Sequence, residues 1–436
     1  MNVKVKKNAA WIIGCKIVQS LLAFVISMLT ARYMGPSNYG LLTYAQSIGI
    51  FVIPIMQLGF NWIIVYELIN HPDDEPKILG TSIGLSLCSG VLCILGIFVF
   101  TSIVNAGEQD TILVCVLYSL NLLFQAIELI QYWFQSKFLS KYTSIVSLAA
   151  YVIVSLYKIY LLATGKSVAW FAISYSIDYF LISTTLIIIY KRLTHNKLAF
   201  SLKVAKNLFS KSKYYIITGV MINVFLQTDR VMLKVMIGNT SNGIYSAAAT
   251  CAGVGGFVFL AIIDSMRPLI LQNKKDNNGL FEISTKQLYS IILYSAFAYA
   301  AGLTIFSNII VSILYGREYS ASSGVLRILS WCMILQYYGG AKDIWILAEE
   351  KQKYLIPINL TGAISNVILN YIFIQLAAEK GAAIASLLTM FITNVIMIAV
   401  IPALRHNTRI LIESANPKYI SNAIKSIVAA RWKNNK

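Results

Sequence analysis

The chain has 436 residues, 57% hydrophobic and 12% charged, with 36 Lys and Arg against 18 Asp and Glu and a formal net charge of +18. Soluble domains carry about 25% charged residues, so this composition argues against a soluble enzyme or binding module and for an all-α polytopic membrane protein. The basic excess does not point to nucleic acid, because it gathers in short segments between long apolar runs.

Apolar runs of the ~20 residues that a helix needs to cross a ~30 Å hydrocarbon core recur along nearly the whole sequence. They predict about twelve spans, at residues 8–33, 39–66, 78–104, 111–135, 142–164, 167–190, 214–237, 243–271, 287–315, 321–348, 354–376 and 381–404. The start, MNVKVKKNAAWIIGCKIVQSLLAF, has the charges of a signal peptide. It lacks a small-residue cleavage site, and Lys16 and Gln19 interrupt its apolar core, so a retained first span is expected. With the amino terminus in the cytoplasm, Lys and Arg concentrate on the cytoplasmic side, and only Arg32, Lys166, Arg317 and Lys380 fall opposite. That asymmetry predicts both termini in the cytoplasm.

The first outer turn reads TARYMGPSNYG. Gly35 tolerates a positive φ and Pro36 lacks a backbone donor, so the pair stops one helix and starts the next within a few residues. Every outer loop is of this short kind, which leaves no room for an extracytoplasmic domain. In the fourth span Asn121, Gln125, Glu128, Tyr132 and Gln135 form a polar stripe, and Lys158 and Asp178 interrupt the fifth and sixth. A charge at the centre of a span costs about 2.5–3.5 kcal/mol, so such residues face a cavity or a partner. The segment YKRLTHNKLAFSLKVAKNLFSKSK follows, read as a solvated basic anchor lying along the anionic lipid surface. In the seventh span Asn223, Gln227, Arg230 and Lys234 fall on one helical face, with Asp229 beside Arg230.

The next turn, IGNTSNGIYSAA, repeats MGPSNYGLLTYA about 200 residues later, with Gly238 and Gly243 in the places of Gly35 and Gly40. Trp133, Lys141 and Tyr142 are echoed in turn by Trp345, Lys353 and Tyr354. The repeat predicts two pseudo-symmetric six-helix lobes, residues 1–190 and 214–404, joined by a basic cytoplasmic connector at 191–213. A basic cytoplasmic tail occupies 405–436, with an apolar stripe of Ile420, Ile424, Ile427 and Val428 that suits an interfacial helix. In the second lobe Asp264 with Arg267 reads as a local ion pair, Lys342 with Asp343 as side chains snorkelling to the surface, and Arg327 as an intramembrane cation. The six cysteines lie inside spans without a Cys-x-x-Cys pair, and the three histidines have no partner at ligand spacing. No metal, cofactor or catalytic constellation is expected.

Four stretches carry a resemblance: TARYMGPSNYGLLTYAQSI, YWFQSKFLSKYT, LQTDRVMLKVMIGNTSNGIYSAA and LIPINLTGAISNVILNYIFI. In these the chain resembles the polysaccharide branch of the multidrug/oligosaccharidyl-lipid/polysaccharide superfamily, the Wzx-type flippases of O-antigen and capsule repeat units. The resemblance implies alternating access in the bacterial cytoplasmic membrane. It also implies a cargo of undecaprenyl-pyrophosphate-linked oligosaccharide, received as an anionic headgroup by a cationic cavity while its tail stays in the bilayer. Membrane lipids, a polysaccharide polymerase and chain-length machinery are the implied partners, with no nucleic acid. On this reading Arg230, Lys234, Lys16, Lys158 and Arg327, with Gln227 and Asn223, receive the headgroup. Glu128, Asp178 and Asp229 are the acids placed to couple transport to a proton or sodium gradient. A drug/cation antiporter or lipid-linked precursor flippase of the same superfamily is the nearest alternative. A membrane polysaccharide polymerase is disfavoured by the short outer loops.

Overall fold

The computed structural model describes the backbone of residues 3–276 and 279–422, and side chains from residue 14 onward within them. The described residues form helices and short turns, with no strand. The chain divides into two compact units, Met1–Ser246 and Ala247–Lys436. The first holds α1 (Val3–Met56), α2 (Ile64–Asn70), α3 (Glu75–Val104), α4 (Gln109–Ser119), α5 (Asn121–Glu128), α6 (Gln131–Ser136), α7 (Ser140–Ala163), α8 (Val168–Thr194), α9 (Leu202–Met236) and the start of α10 (Asn239–Gly253). The second holds the rest of α10, then α11 (Gly256–Lys275), α12 (Leu280–Leu314), α13 (Ser322–Ala348), α14 (Leu355–Phe391), α15 (Met397–Val400) and α16 (Arg405–Ser414).

Among the described residues, eight helical segments are long and apolar enough to cross a bilayer, or nine when α10 and α11, bent by 42°, count as one span. Two of the eight, Gly14–Met56 and Gln352–Val400, are double-length and reverse direction inside. In α1 the reversal is at Gly35 (φ 73, ψ 167), followed by Pro36. It brings Ser27 Oγ within 2.8 Å of Tyr39 OH, atoms that a straight helix would separate by about 18 Å. In α14 it is at Ala377 and Ala378, and a Cβ on Gly381 would stand 1.8 Å from the Phe373 carbonyl oxygen. With these reversals separated and the less apolar α13 added, the helices are compatible with about twelve crossings.

The internal repeat reappears in the backbone. Gly35 and Gly238 have positive φ, and so do Gly107 and Gly316 (88° and 86°), Phe138 and Glu350 (58° and 56°), and Gly165 and Ala378 (60° and 45°). Trp133 and Trp345 precede the third pair by the same spacing, and both are buried. A positive-φ residue at matching points of two halves sets matching turns, even where only one of the pair, or neither, is a glycine.

The seven Lys and Arg of the basic connector are exposed, as a solvated segment requires, but its backbone departs from a free loop. Its backbone is pinned to α3 by Ala199 N–H donating to Pro76 O (3.1 Å) and Ser201 N–H donating to Thr81 Oγ1 (3.0 Å). A Cβ on Gly80 would lie 2.3 Å from Ala199 O, so the glycine admits the connector. Buried Glu67 then accepts from Lys211 at 2.7 Å. Lys342 also departs from expectation. It is buried rather than snorkelling, donating to Asn394 Oδ1 (3.1 Å) in a π-helical turn at Ile392–Ile396. Asp264 and Arg267 form the expected local pair at 3.6 Å. In the tail, Asn407 of α16 bonds Tyr289 OH (2.6 Å) and Tyr338 OH (2.9 Å). The stripe expected at Ile420 to Val428 lies, beyond Ile420, outside the described residues.

Candidate functional site

The seventh-span face is legible in the structure as a seam between α9 and the second arm of α1. Asn223 Nδ2 donates to Ile50 O (2.6 Å), and Gln227 Oε1 accepts from Ser47 Oγ (3.0 Å) and from Arg230 Nη1 (3.1 Å). Beyond α9 the seam continues where the two repeated glycine turns meet. A Cβ on Gly40 would stand 1.8 Å from Asn239 O, and one on Gly243 would stand 1.9 Å from Pro36 O. Only residues without side chains allow that approach. Asn242 Nδ2 donates to Gly40 O (2.7 Å) and lies 3.2 Å from Thr43 Oγ1.

Lys234 closes this seam electrostatically. Its side chain is 3% exposed, and Nζ sits 2.6 Å from Glu108 Oε2, whose side chain is 50% exposed. Glu108 also accepts from Thr111 Oγ1 at 2.7 Å, and Lys234 lies over the Tyr44 ring at 5.2 Å. Tyr44 OH in turn donates to Asn105 Oδ1 (2.8 Å), tying the turn that carries Glu108 to α1. The hydrogen bond from Lys234 holds the Glu108 carboxyl below the usual range. Arg230 is half-buried, and its Nε has no hydrogen-bond partner among the described residues. Asp229 accepts from Tyr245 OH at 2.5 Å, consistent with adjacent helix positions facing apart.

A second polar cluster sits among α5, α7 and α8 of the same unit. Lys158 is buried, with Nζ 3.8 Å from the centroid of the Tyr175 ring, whose hydroxyl accepts from Gln46 Nε2 at 2.6 Å. A cation over an aromatic face is stabilised by the ring quadrupole. Asp178 lies within electrostatic range of both Lys158 and Glu128, and its Oδ1 accepts no hydrogen bond among the described residues. Gln125 Nε2 donates to Asn121 Oδ1 (2.8 Å), so part of the fourth-span stripe pairs with itself.

The remaining sequence-selected cations do not join either cluster. Lys16 is exposed on the first arm of α1. Arg327 belongs to the second unit, where Nε donates to Ser307 Oγ (2.8 Å) and Nη2 to Asn308 Oδ1 (3.0 Å). Sequence reasoning missed Glu108, Ser47, Tyr175 and Asn242. Glu108 stands beside Gly107 in the turn between α3 and α4, and no periodicity relates it to Lys234. Asn242 had a signal, its place inside the repeated glycine turn.

All six cysteines are free, and no cluster of metal-ligating side chains occurs among the described residues. The family described as "Polysaccharide biosynthesis protein" matches residues 5–274. The chain is 21% identical over 394 residues to the capsular polysaccharide biosynthesis protein CapF of Staphylococcus aureus, covering 88% of this chain and 96% of that one. It is 23% identical over 198 residues to the probable low-salt glycan biosynthesis flippase Agl15 of Haloferax volcanii, 45% of this chain and 42% of the relative. Among solved structures, lipid II flippase MurJ in an inward closed conformation superposes with a TM-score of 0.74 at 14% identity, over 92% of this chain and 89% of that one. An inward-facing multidrug resistance MATE family transporter of the MOP superfamily gives 0.68 at 12% identity, over 90% and 94%. With a family match over more than half its length, and this fold, the chain belongs to the polysaccharide biosynthesis protein family of multi-pass membrane proteins.

Proposed function

We infer that the protein is a flippase that moves a lipid-linked oligosaccharide across the bacterial cytoplasmic membrane by alternating access, without catalysing a covalent step. The cargo is an undecaprenyl-pyrophosphate-linked repeat unit of a surface polysaccharide. Both chain ends lie in the cytoplasm, and polymerase and chain-length machinery act on the delivered glycan. The lobes that alternate are residues 1–190 and 214–404, linked by 191–213 and followed by the tail 405–436. A relative named for capsular polysaccharide biosynthesis that matches nearly end to end, and one named as a glycan flippase, support this reading.

The observation that carries it is the incomplete neutralisation of intramembrane cations. Arg230 Nε has no partner among the described residues, and Lys158 rests on a tyrosine ring rather than in a direct ion pair. A pyrophosphate cannot enter hydrocarbon without compensation, and guanidinium and ammonium donors supply it through charge-assisted hydrogen bonds. Arg230 and Lys234, with Asn223 and Gln227, and then Lys158, Lys16 and Arg327, are assigned to the headgroup. Glu128, Asp178 and Asp229 are assigned to ion coupling.

The test is complementation of cells that lack their own repeat-unit flippase. The wild-type chain should restore surface glycan, and the R230A/K234A double variant should not, at equal membrane abundance. Full export by the double variant would remove those residues from the site. Uptake in proteoliposomes that ignored both proton and sodium gradients would remove the coupling role of the three acids.

A further inference from the structure

Lys234 and Glu108 are 126 positions apart in sequence, and they are unequal partners. The lysine side chain is 3% exposed and the glutamate side chain 50%, so the lysine depends on the pair far more than the glutamate does. A buried ammonium deprived of its counter-ion is strongly destabilising, whereas an exposed carboxylate is solvated by water. The pair therefore works as a latch with one dependent side. While it is made, α9 is held against the turn at residues 105–108 and, through Tyr44 and Asn105, against α1. If the seam opened with nothing in exchange, Lys234 would lose its carboxylate and keep only water, so the ion pair favours the closed seam.

We propose that Glu108 is the resident counter-ion of Lys234, a stand-in for the cargo's phosphate that keeps the α1–α9 seam shut until an anionic headgroup replaces it. The exchange is carboxylate for phosphate oxyanion at one amine, with no bond made or broken. Its geometry suits the purpose. Glu108 approaches Lys234 from the solvent-exposed end, while Arg230, one helical turn earlier on the same face, has donor capacity to spare. An anion bridging Arg230 and Lys234 would satisfy both cations together, which Glu108 does not do. The seam is thereby stable when closed and empty, or open and loaded, and unstable when open and empty. That ordering prevents an unloaded chain from cycling. The cargo half of the proposal rests on the flippase reading above; the latch half does not.

The experiment separates the two. Full-length protein with its own cysteines replaced carries a single Ser47→Cys reporter, a position fully buried in the seam, and is placed in nanodiscs without glycan. Reaction with a hydrophilic maleimide reads water access from either side. E108Q should raise the labelling rate by roughly 5-fold or more, because the seam then closes over an uncompensated lysine. The exchanged pair E108K/K234E should return labelling to within about 2-fold of the parent, since the latch is remade with its signs reversed. In complementing cells the exchanged pair should export no glycan above background, because the dependent position no longer attracts an anion. Parental labelling by E108Q, or failure of the exchanged pair to restore it, overturns the latch. Normal export by the exchanged pair overturns the hand-over to phosphate. Should the wild-type chain itself restore no glycan, the flippase reading fails, while the labelling arm still decides the latch.

Discussion

Lys158 and Lys234 are equally hidden, at 5% and 4% exposure, in the same unit, yet they are stabilised in opposite ways. Lys234 has a carboxylate at 2.6 Å, supplied by a turn that water can reach. Lys158 has an aromatic face at 3.8 Å and only the more distant influence of Asp178. Burial by itself says nothing about what a membrane lysine does. What matters is whether its counter-charge can leave. An exposed carboxylate can be exchanged for another anion, whereas a tyrosine ring cannot move away from a cation packed on it without repacking the helices that carry it.

The strongest way to break this contrast is to pry open the seam on which one lysine depends and the other does not. G243A places a methyl 1.9 Å from Pro36 O, and G40A places one 1.8 Å from Asn239 O. Forcing atoms into a close-packed contact costs about 1–3 kcal/mol, enough to shift a closed–open equilibrium by roughly 5- to 150-fold. Either variant should increase maleimide access to Ser47→Cys by that order and reduce glycan export, with no change in the tryptic pattern around Lys158. Unchanged access would show that the glycine crossing does not hold the seam.

The second test acts on Lys158 alone. K158M removes a buried charge and keeps its length, so the midpoint of thermal unfolding in detergent should not fall. Export should nevertheless drop about 10-fold or more if the cation meets cargo, the scale expected from losing one charged hydrogen bond of roughly 1.5–3 kcal/mol. A drop in stability without a drop in export would recast Lys158 as a packing residue. A smaller effect is expected from N223A, which deletes one hydrogen bond to Ile50 O at the far end of the seam. It should loosen the closed form by about 0.5–1.5 kcal/mol, read as up to about 10-fold faster labelling of the same reporter.

The smallest effect concerns an ion pair that neither lysine resembles. On α16, Glu413 accepts from Lys286 and Arg409, and these bonds bring its carboxyl from the ordinary 4.5 down to about 2. A depressed carboxyl stabilises the docked helix fully above its ordinary pKa and loses that contribution as pH falls through its lowered value. Amide exchange in residues 405–414 should therefore stay protected from neutral pH down to about 4.5 and rise only as pH approaches 2. Early loss, near pH 5, would mean that α16 is held by something other than this pair. Because Glu413 is partly open to solvent, E413Q should shift the midpoint of thermal unfolding little, as surface ion pairs contribute weakly.

Much of this molecule was legible from residue order alone. Hydrophobic run length is set by bilayer thickness, so the spans and the all-helical class follow from composition and spacing. Helical periodicity put Asn223, Gln227, Arg230 and Lys234 on one face, and the recurring Gly-x-x-x-x-Gly turns exposed the repeat. What the linear pattern left open was the partner across each face. That Lys234 meets Glu108, that Gly40 and Gly243 cross, and that the basic connector is pinned at Gly80 are matters of which turns packing brings together. Periodicity along one helix fixes the direction in which a side chain points. The charge or carbonyl waiting there belongs to a segment over a hundred residues away, and only the packed bundle determines it.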